Sequence, residues 1–389
     1  MIQFKLTDEQ RSLQEAVRRL AQNKFRDRAL NYLNGAFPWE NMRDLAELGV
    51  LGMAVPESYG GGEMPILETA LALEEIAKVC YVTAMATLGE VGAQTRIITA
   101  LAPETIKSRI LPKVVSGEAI LAICMTEPSV GTDLANMTTN ATVKSDKVVL
   151  KGVKTLISRA DVAQAFVVFT RVNNVPKGEG VGCVYVERGT PGLNITGTYQ
   201  TMGGECLYEV QFDNLEVPLE NLLIESKGLS KLLSIFNTQR CLNPSISLGL
   251  AGGALEESIK YMRERQAFGK RIGDFQGMQW KIAEMYRDVE AARSILYRAA
   301  ANADPFPHPI EAAIAKITTN EMSLRVTSEA VQVHGGYGFI DEYPVSRFYR
   351  GARYGTLGGG TTESLKNLIG KAIMEKYDDV GGLLMFNGL

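Results

Sequence analysis

With 389 residues, 46% of them hydrophobic, the chain carries apolar material for roughly two or three cores. A net charge of -3 leaves no basic excess to neutralise nucleic acid, and Cys80, Cys124, Cys183, Cys206 and Cys241 are odd in number and lack a CxxC pair, which fits reduced thiols in the cytoplasm. Two histidines, His308 and His334, are too few for a histidine-built zinc site or a Ser-His-Asp triad, and no apolar run is long enough to span a membrane.

In chain order, Thr7 and Gln10 read as a capping box, followed by the stripe Leu13, Ala16, Val17 and Leu20. A helix therefore starts within a few residues of Met1, leaving no signal peptide in this reading. Helical patterns continue over Trp39–Leu51 and Ile66–Leu88, interrupted by the turn Tyr59–Gly62. From Ala119 the period changes. Ala119–Cys124 and Ala165–Phe169 read as buried strands, and Tyr208, Val210 and Phe212 alternate with polar residues. This predicts an antiparallel β domain. Helices are expected to resume over Leu222–Ile235, and Met278, Ile282, Met285, Val289, Ala292 and Leu296 form a seam for helix packing. The tail Gly381–Leu389, apolar behind a Gly-Gly pair, is expected to dock. The resulting class is α+β, with a helical domain over 1–118, a β domain over 119–226 and a helical bundle over 227–389.

Between the first two strands lies Met125–Asp133, where Pro128 and Gly131 stop regular structure while Thr126, Ser129 and Thr132 offer hydroxyls. Alone, this is an ordinary strand-ending loop. The runs AICMTEPSVGTD, LKGVKTLISRADVAQAFVVFTRV, RERQAFGKRIGDFQGMQ, AVQVHGGYGF and GGGTTE, in that order, resemble the acyl-CoA dehydrogenases over nearly the whole chain. The resemblance implies FAD as cofactor, an acyl-CoA or acyl carrier protein thioester as substrate, electron-transferring flavoprotein as redox partner, and a homotetramer. It places Thr126, Gly131, Thr132 and Ser158 at the flavin ring, with Ser158 beside N5. Leu156 stands where the family usually has a tryptophan. It assigns Arg265 to the cofactor pyrophosphate, with Phe268, Gln276, Gln332, Gly335, Gly336, Thr361 and Glu363 completing the cofactor contacts, and Thr132, Asn237 and Arg240 near substrate. His334 reads as structural, and a helix pattern before Gly335 and Gly336 argues against a dinucleotide-binding glycine run.

The sequence departs from the family at the base. The family's glutamate falls at Gly359, or in some branches at Gln239 beside Arg240, and neither glycine nor an amide accepts a proton near neutral pH. Candidates for a replacement catalytic group are Gln239, Arg240, Glu90 and Glu205. The segments PWEN and TQR, with the Gly359 position, are also similar to 3-sulfinopropionyl-CoA desulfinases, whose acyl-pocket arginine falls near Ala84 or Met85. The chain has no arginine between Val79 and Thr95. Three readings follow: an acyl-thioester dehydrogenase or its enoyl-reducing reverse, a desulfinase, and a flavin-binding scaffold.

Overall fold

The computed structural model describes residues 5–376, so the expected docking of Gly381–Leu389 lies outside the described residues. Helix α1 (Asp8–Leu20) opens the fold on its capping box: the Gln10 N–H donates to the Thr7 hydroxyl, and the Thr7 N–H donates to the Gln10 side chain. After α2 (Arg26–Arg28) come α3 (Trp39–Glu47), α4 (Ile66–Ala77), α5 (Tyr81–Val91), α6 (Ala93–Leu101) and α7 (Glu104–Val115). The stretch Ile66–Leu88 is thus two helices. The Val79 and Cys80 N–H groups both turn back to the Ile76 carbonyl and close α4. Because both helices are buried nearly all round, no change of hydrophobic period marks the break.

Strands β1 (Leu121–Cys124), β2 (Asn140–Val143), β3 (Lys147–Ser158), β4 (Ala165–Val172), β5 (Val181–Glu187), β6 (Leu193–Gln200), β7 (Cys206–Pro218) and β8 (Leu222–Ile224) form one sheet in the order β6-β7-β3-β2-β4-β5-β8, with β1 on β4. The expectation of a wholly antiparallel sheet needs correction, since β1 and β2 both run parallel to β4. The chain between β1 and β4 is long enough for the crossover that parallel pairing requires. Leu222–Ile224 is likewise a strand against β5, where a helix was expected.

The C-terminal elements are α8 (Leu229–Phe236), α9 (Gln239–Glu264), the hairpin β9 (Gln266–Ala267) and β10 (Lys270–Arg271), α10 (Gln276–Ala301), α11 (Pro309–His334), α12 (Pro344–Gly355) and α13 (Thr362–Lys376). Among the described residues, no helix is long and apolar enough to cross a membrane.

The described chain divides into two compact units. In the helical unit, 5–30, 65–84 and 237–376, helix α9 packs against α4, α10, α11 and α12. Gly249 permits the approach to α4, since a Cβ there would lie 2.3 Å from the Glu74 carbonyl oxygen. The seam of α10 buries Met285, Val289, Ala292 and Leu296, whereas Met278 and Ile282 are only half-buried. The sheet unit, 31–64 and 85–236, has its core at Phe166, Val168, Val184, Val186, Val210 and Phe212. Its strands β4 and β5 are buried on both faces, which explains their unbroken apolar runs.

Candidate active site

In the sheet unit, the loop after β1 is fixed from below. Glu127 and Val130 exchange backbone hydrogen bonds across a tight turn, and the Thr155 N–H donates to the Thr126 carbonyl at 2.9 Å. The Glu127 carboxylate accepts from the Thr138 N–H and hydroxyl, at 2.6 and 2.7 Å, and from the Thr139 N–H and Lys154 Nζ, both at 2.9 Å. Lys154 also donates to the Met125 carbonyl at 2.9 Å. The pair is sealed from solvent, so these bonds act in a low-dielectric interior. Burial would raise the Glu127 carboxyl, but Lys154 and Thr138 outweigh it and bring it down to about 2. Above this foundation Thr126 is half-buried while Ser129, Gly131 and Thr132 are exposed.

The register shift in β3 between Lys154 and Ile157 holds Leu156 at φ +57, with its side chain 51% exposed. A left-handed leucine is strained by roughly 1–3 kcal/mol. The strained residue presents an apolar surface one position after Thr155, whose N–H holds the Thr126 carbonyl, and two positions before the half-buried Ser158. An uncovered apolar platform edged by hydroxyl donors suits a planar ring with acceptor atoms on its rim. These residues fit a flavin.

The residue after Ser158 escaped the sequence reading. Arg159, at φ +61, donates from Nη1 to the Met85 and Ala86 carbonyls of α5, both at 3.0 Å. It fits because residue 89 is glycine, where a Cβ would fall 1.8 Å from Nη1. Arg159, the residue after β3, thus brings a guanidinium to Met85 in a stretch, 79–95, that has no arginine of its own. Glu90 is fully buried, and the Leu121 N–H reaches both of its carboxylate oxygens at 3.3 Å. Burial pushes its pKa up to about 8 against the pull of Arg159 and that N–H, so its carboxyl holds a proton near neutral pH and is tied to β1. Glu205 lies in the β6–β7 turn, where its carbonyl accepts from the Thr201 N–H.

In the helical unit, Asn237 is buried and accepts from Arg240 Nη1 at 2.8 Å. Gln239 opens α9, and its Oε1 and the Arg240 Nε are both buried without a hydrogen-bond partner. Gly359, at φ +70, faces a group that sequence reasoning missed. Lys316 of α11 is 1% exposed and donates to the Gly355 and Gly360 carbonyls at 2.8 and 3.0 Å. A Cβ on Gly359 would stand 3.6 Å from Lys316 Cε. Burial, reinforced by the charge of Arg240, brings Lys316 down to about 7. It clamps the glycine run 358–360 to the end of α12.

This clamp predicts a pH signature. The folded value of about 7 lies below the ordinary 10.5, so the unfolded chain binds the extra proton between them. Destabilisation by the lysine is complete below about pH 7 and fades as pH rises towards 10.5. Urea unfolding of wild type and Lys316→Met should therefore give a stability difference that shifts in favour of wild type from pH 7 to 9.5. A difference independent of pH would remove Lys316 as the titrating group.

Also in this unit, Arg265 caps α9, lies 6.0 Å from the Tyr337 ring centroid and pairs with no acid among the described residues. Arg271, by contrast, pairs with Asp274. Phe268 is 97% exposed in the β9–β10 turn, and Gln276 is the exposed first residue of α10. Gln332 is exposed in the last turn of α11, Gly335 ends that helix at φ +58, and a Cβ on Gly335 or Gly336 would meet nothing. Such bare backbone and a free guanidinium suit phosphate oxygens. The Thr361 hydroxyl accepts from the Ser364 N–H at 3.2 Å, and Glu363 is exposed in the first turn of α13. His334 stacks on Tyr261 at 4.4 Å with Nδ1 2.8 Å from the Ala330 carbonyl oxygen, a packing role. No cluster of histidine, cysteine and acidic side chains among the described residues could hold a metal.

Three family models match the chain: acyl-CoA dehydrogenase, N-terminal domain over residues 7–118, middle domain over 122–215 and C-terminal domain over 226–374. The chain is 37% identical to benzylmalonyl-CoA dehydrogenase of Aromatoleum aromaticum, covering 95% of this chain and 99% of that one. It is 34% identical to 3-sulfinopropanoyl-CoA desulfinase of Cupriavidus necator, with 96% of each covered. Butyryl-CoA dehydrogenase of Megasphaera elsdenii superposes with a TM-score of 0.91 at 30% identity, covering 96% of this chain and 100% of that structure's.

Proposed function

The chain belongs to the acyl-CoA dehydrogenase family of FAD-dependent oxidoreductases, and from that premise we propose that it acts at the Cα–Cβ region of an acyl thioester, by α,β-dehydrogenation or its reverse, without the family's glutamate base. The observation that carries this reading is the chemistry around Gly359. Where a carboxylate is expected the chain has a bare glycine, a buried lysine holding its loop, and the amide and guanidinium of Gln239 and Arg240. Bound FAD supplies the hydride acceptor. Thr126, Thr132, Leu156 and Ser158 would hold the ring, and Arg265, Phe268, Gln276, Gln332, Gly335, Gly336, Thr361 and Glu363 the remainder. Arg240 and the Gln239 amide can orient a thioester and bind developing negative charge, but neither removes an α-proton near neutral pH. The carrier is CoA or acyl carrier protein, the redox partner is electron-transferring flavoprotein, and the assembly is a cytoplasmic homotetramer, a reading supported by the exposed Phe268, Trp280 and Phe339.

Arg159 favours a second reading. The names of two relatives, benzylmalonyl-CoA dehydrogenase and 3-sulfinopropanoyl-CoA desulfinase, denote thioesters whose acyl part carries an additional acidic group. A guanidinium held against α5 beside Ser158 supplies a cation for such a group. Desulfination exchanges the Cβ–S bond for a Cβ–H bond, with water supplying the proton and the third oxygen of sulfite, and removes neither an α-proton nor a hydride, so it tolerates Gly359. Anaerobic mixing with a panel of acyl-CoAs separates the readings, since flavin bleaching supports the first and sulfite release from 3-sulfinopropanoyl-CoA the second. Neither, with FAD bound, would leave the flavin-binding scaffold. The FAD assignment has its own check: Arg265→Ala should weaken FAD retention by about 1.5–3 kcal/mol, and unchanged affinity would return Arg265 to the solvated surface. Light scattering of the FAD-loaded protein reads the tetramer directly.

A further inference from the structure

Helix α6 in the sheet unit carries an ionic group that neither the flavin nor the base argument uses. Arg96 is half-buried overall, yet its Nε and Nη2 are sealed from solvent and make no hydrogen bond. No ion pair or other hydrogen bond of its guanidinium exists among the described residues. The Thr95 and Thr99 hydroxyl oxygens are also buried without partners. Thr99 lies three residues after Arg96 and four after Thr95, so on the surface of α6 it neighbours both side chains and stands between them. The helix packs against α7, α8, β1, β4 and β8. Burial alone lowers the Arg96 pKa to about 10, with no acid opposing it.

Buried charges are normally paired, and a guanidinium remains charged at any physiological pH, so an uncompensated one is a standing destabilisation of the fold. Packing does not require it, because methionine fills similar space without the charge. The orphaned atoms lie on one side of α6: two N–H donors in the planar fork that matches a two-oxygen anion, and the Thr95 and Thr99 hydroxyls, able to donate. We propose that Arg96, Thr95 and Thr99 form a binding site for a carboxylate or sulfinate, a compact oxyanion with two terminal oxygens. Its source is either the acidic end of an acyl thioester or a free small acid. The first source rests on the acyl-thioester reading, and the second does not.

Two measurements on the FAD-loaded protein decide this, each made on wild type, Arg96→Met and Arg96→Lys. Flavin absorbance titrations compare glutaryl-CoA with pentanoyl-CoA, five-carbon acyl groups with and without a terminal carboxylate. Thermal unfolding compares sodium acetate and disodium glutarate with sodium chloride at equal ionic strength. If the anion is an acyl terminus, Arg96→Met weakens glutaryl-CoA binding roughly ten- to hundred-fold and leaves pentanoyl-CoA binding unchanged. If it is a free acid, carboxylate salts raise the wild-type Tm, and that rise is absent in Arg96→Met. In either case Arg96→Met in chloride is as stable as wild type or more so, because an unpaired buried charge has gone. Arg96→Lys keeps charge without the fork and gives an intermediate response, which preserves the test should the methionine variant fold poorly. Should neither thioester perturb the flavin in any protein, the acyl-thioester reading fails while the salt comparison still decides the site. A lower Tm in Arg96→Met with no carboxylate dependence in any measurement overturns the proposal and makes Arg96 a packing residue.

Discussion

Butyryl-CoA and octanoyl-CoA, mixed anaerobically with the FAD-loaded protein, should bleach its flavin roughly a hundred- to ten-thousand-fold more slowly than they bleach that of a Gln239→Glu variant. General-base catalysis is worth that range, and on the proposed reading neither base position, Gly359 nor Gln239, carries a carboxylate. Gln239 is the better place to restore one. It is the first residue of α9, and its side-chain oxygen is buried without a partner, so a carboxylate there replaces an oxygen that no group already holds. Gly359→Glu should do less. At φ +70 any side chain is strained, and a Cβ there stands 3.6 Å from Lys316 Cε, so a new carboxylate would be drawn into an ion pair and weakened as a base. Rapid bleaching of the wild-type flavin by either thioester would sink this account. Glu90 does not offer an easy rescue, because its carboxyl is fully buried against the Leu121 N–H.

What was legible in the sequence was local. The Thr7–Gln10 capping box, the β1 strand, the hydroxyl-rich loop after it and the α10 seam are all written in neighbouring residues, and the structure has them. The break after α4 was hidden because both flanking helices are buried all round. The parallel pairing of β1 with β4 depends on a crossover that strand patterning does not encode. The site residues that were missed share one cause, long sequence separation. Arg159 meets Met85 across 74 positions, and Lys316 meets Gly355 across 39. A clue existed for the first: Gly89 sits inside a helix, and an internal helical glycine often marks a close approach by another group. Arg96 left no such mark, since a lone arginine in a helical segment reads as surface until its burial is seen.

Lys154→Met should lower the stability of the protein by about 3–5 kcal/mol, the largest single loss expected outside a catalytic change. The substitution leaves Glu127 buried with one of its four hydrogen-bond donors gone and no counter-charge. It also removes the donor to the Met125 carbonyl, so the hydroxyl-bearing loop loses an anchor at the point where it leaves β1. The pH dependence shifts with it. In wild type Glu127 titrates at about 2, below the ordinary 4.5, so its contribution is present above pH 4.5 and lost as pH falls through about 2. Without Lys154 the largest of the pulls that hold it down is gone, while the Thr138 and Thr139 donors remain, so the carboxyl moves up from about 2. The variant should then lose the carboxylate's contribution at a higher pH than wild type does as the solution is acidified. Urea unfolding at pH 4.5 and 7.5 reads both effects. The double variant Lys154→Met with Glu127→Leu removes both charges and should recover most of the stability, because a buried ion pair and an apolar pair of similar volume are often close in energy. Its FAD affinity should stay low if the pair exists to hold the loop. A double variant with wild-type stability and wild-type FAD retention would show that the ion pair is dispensable to the site above it.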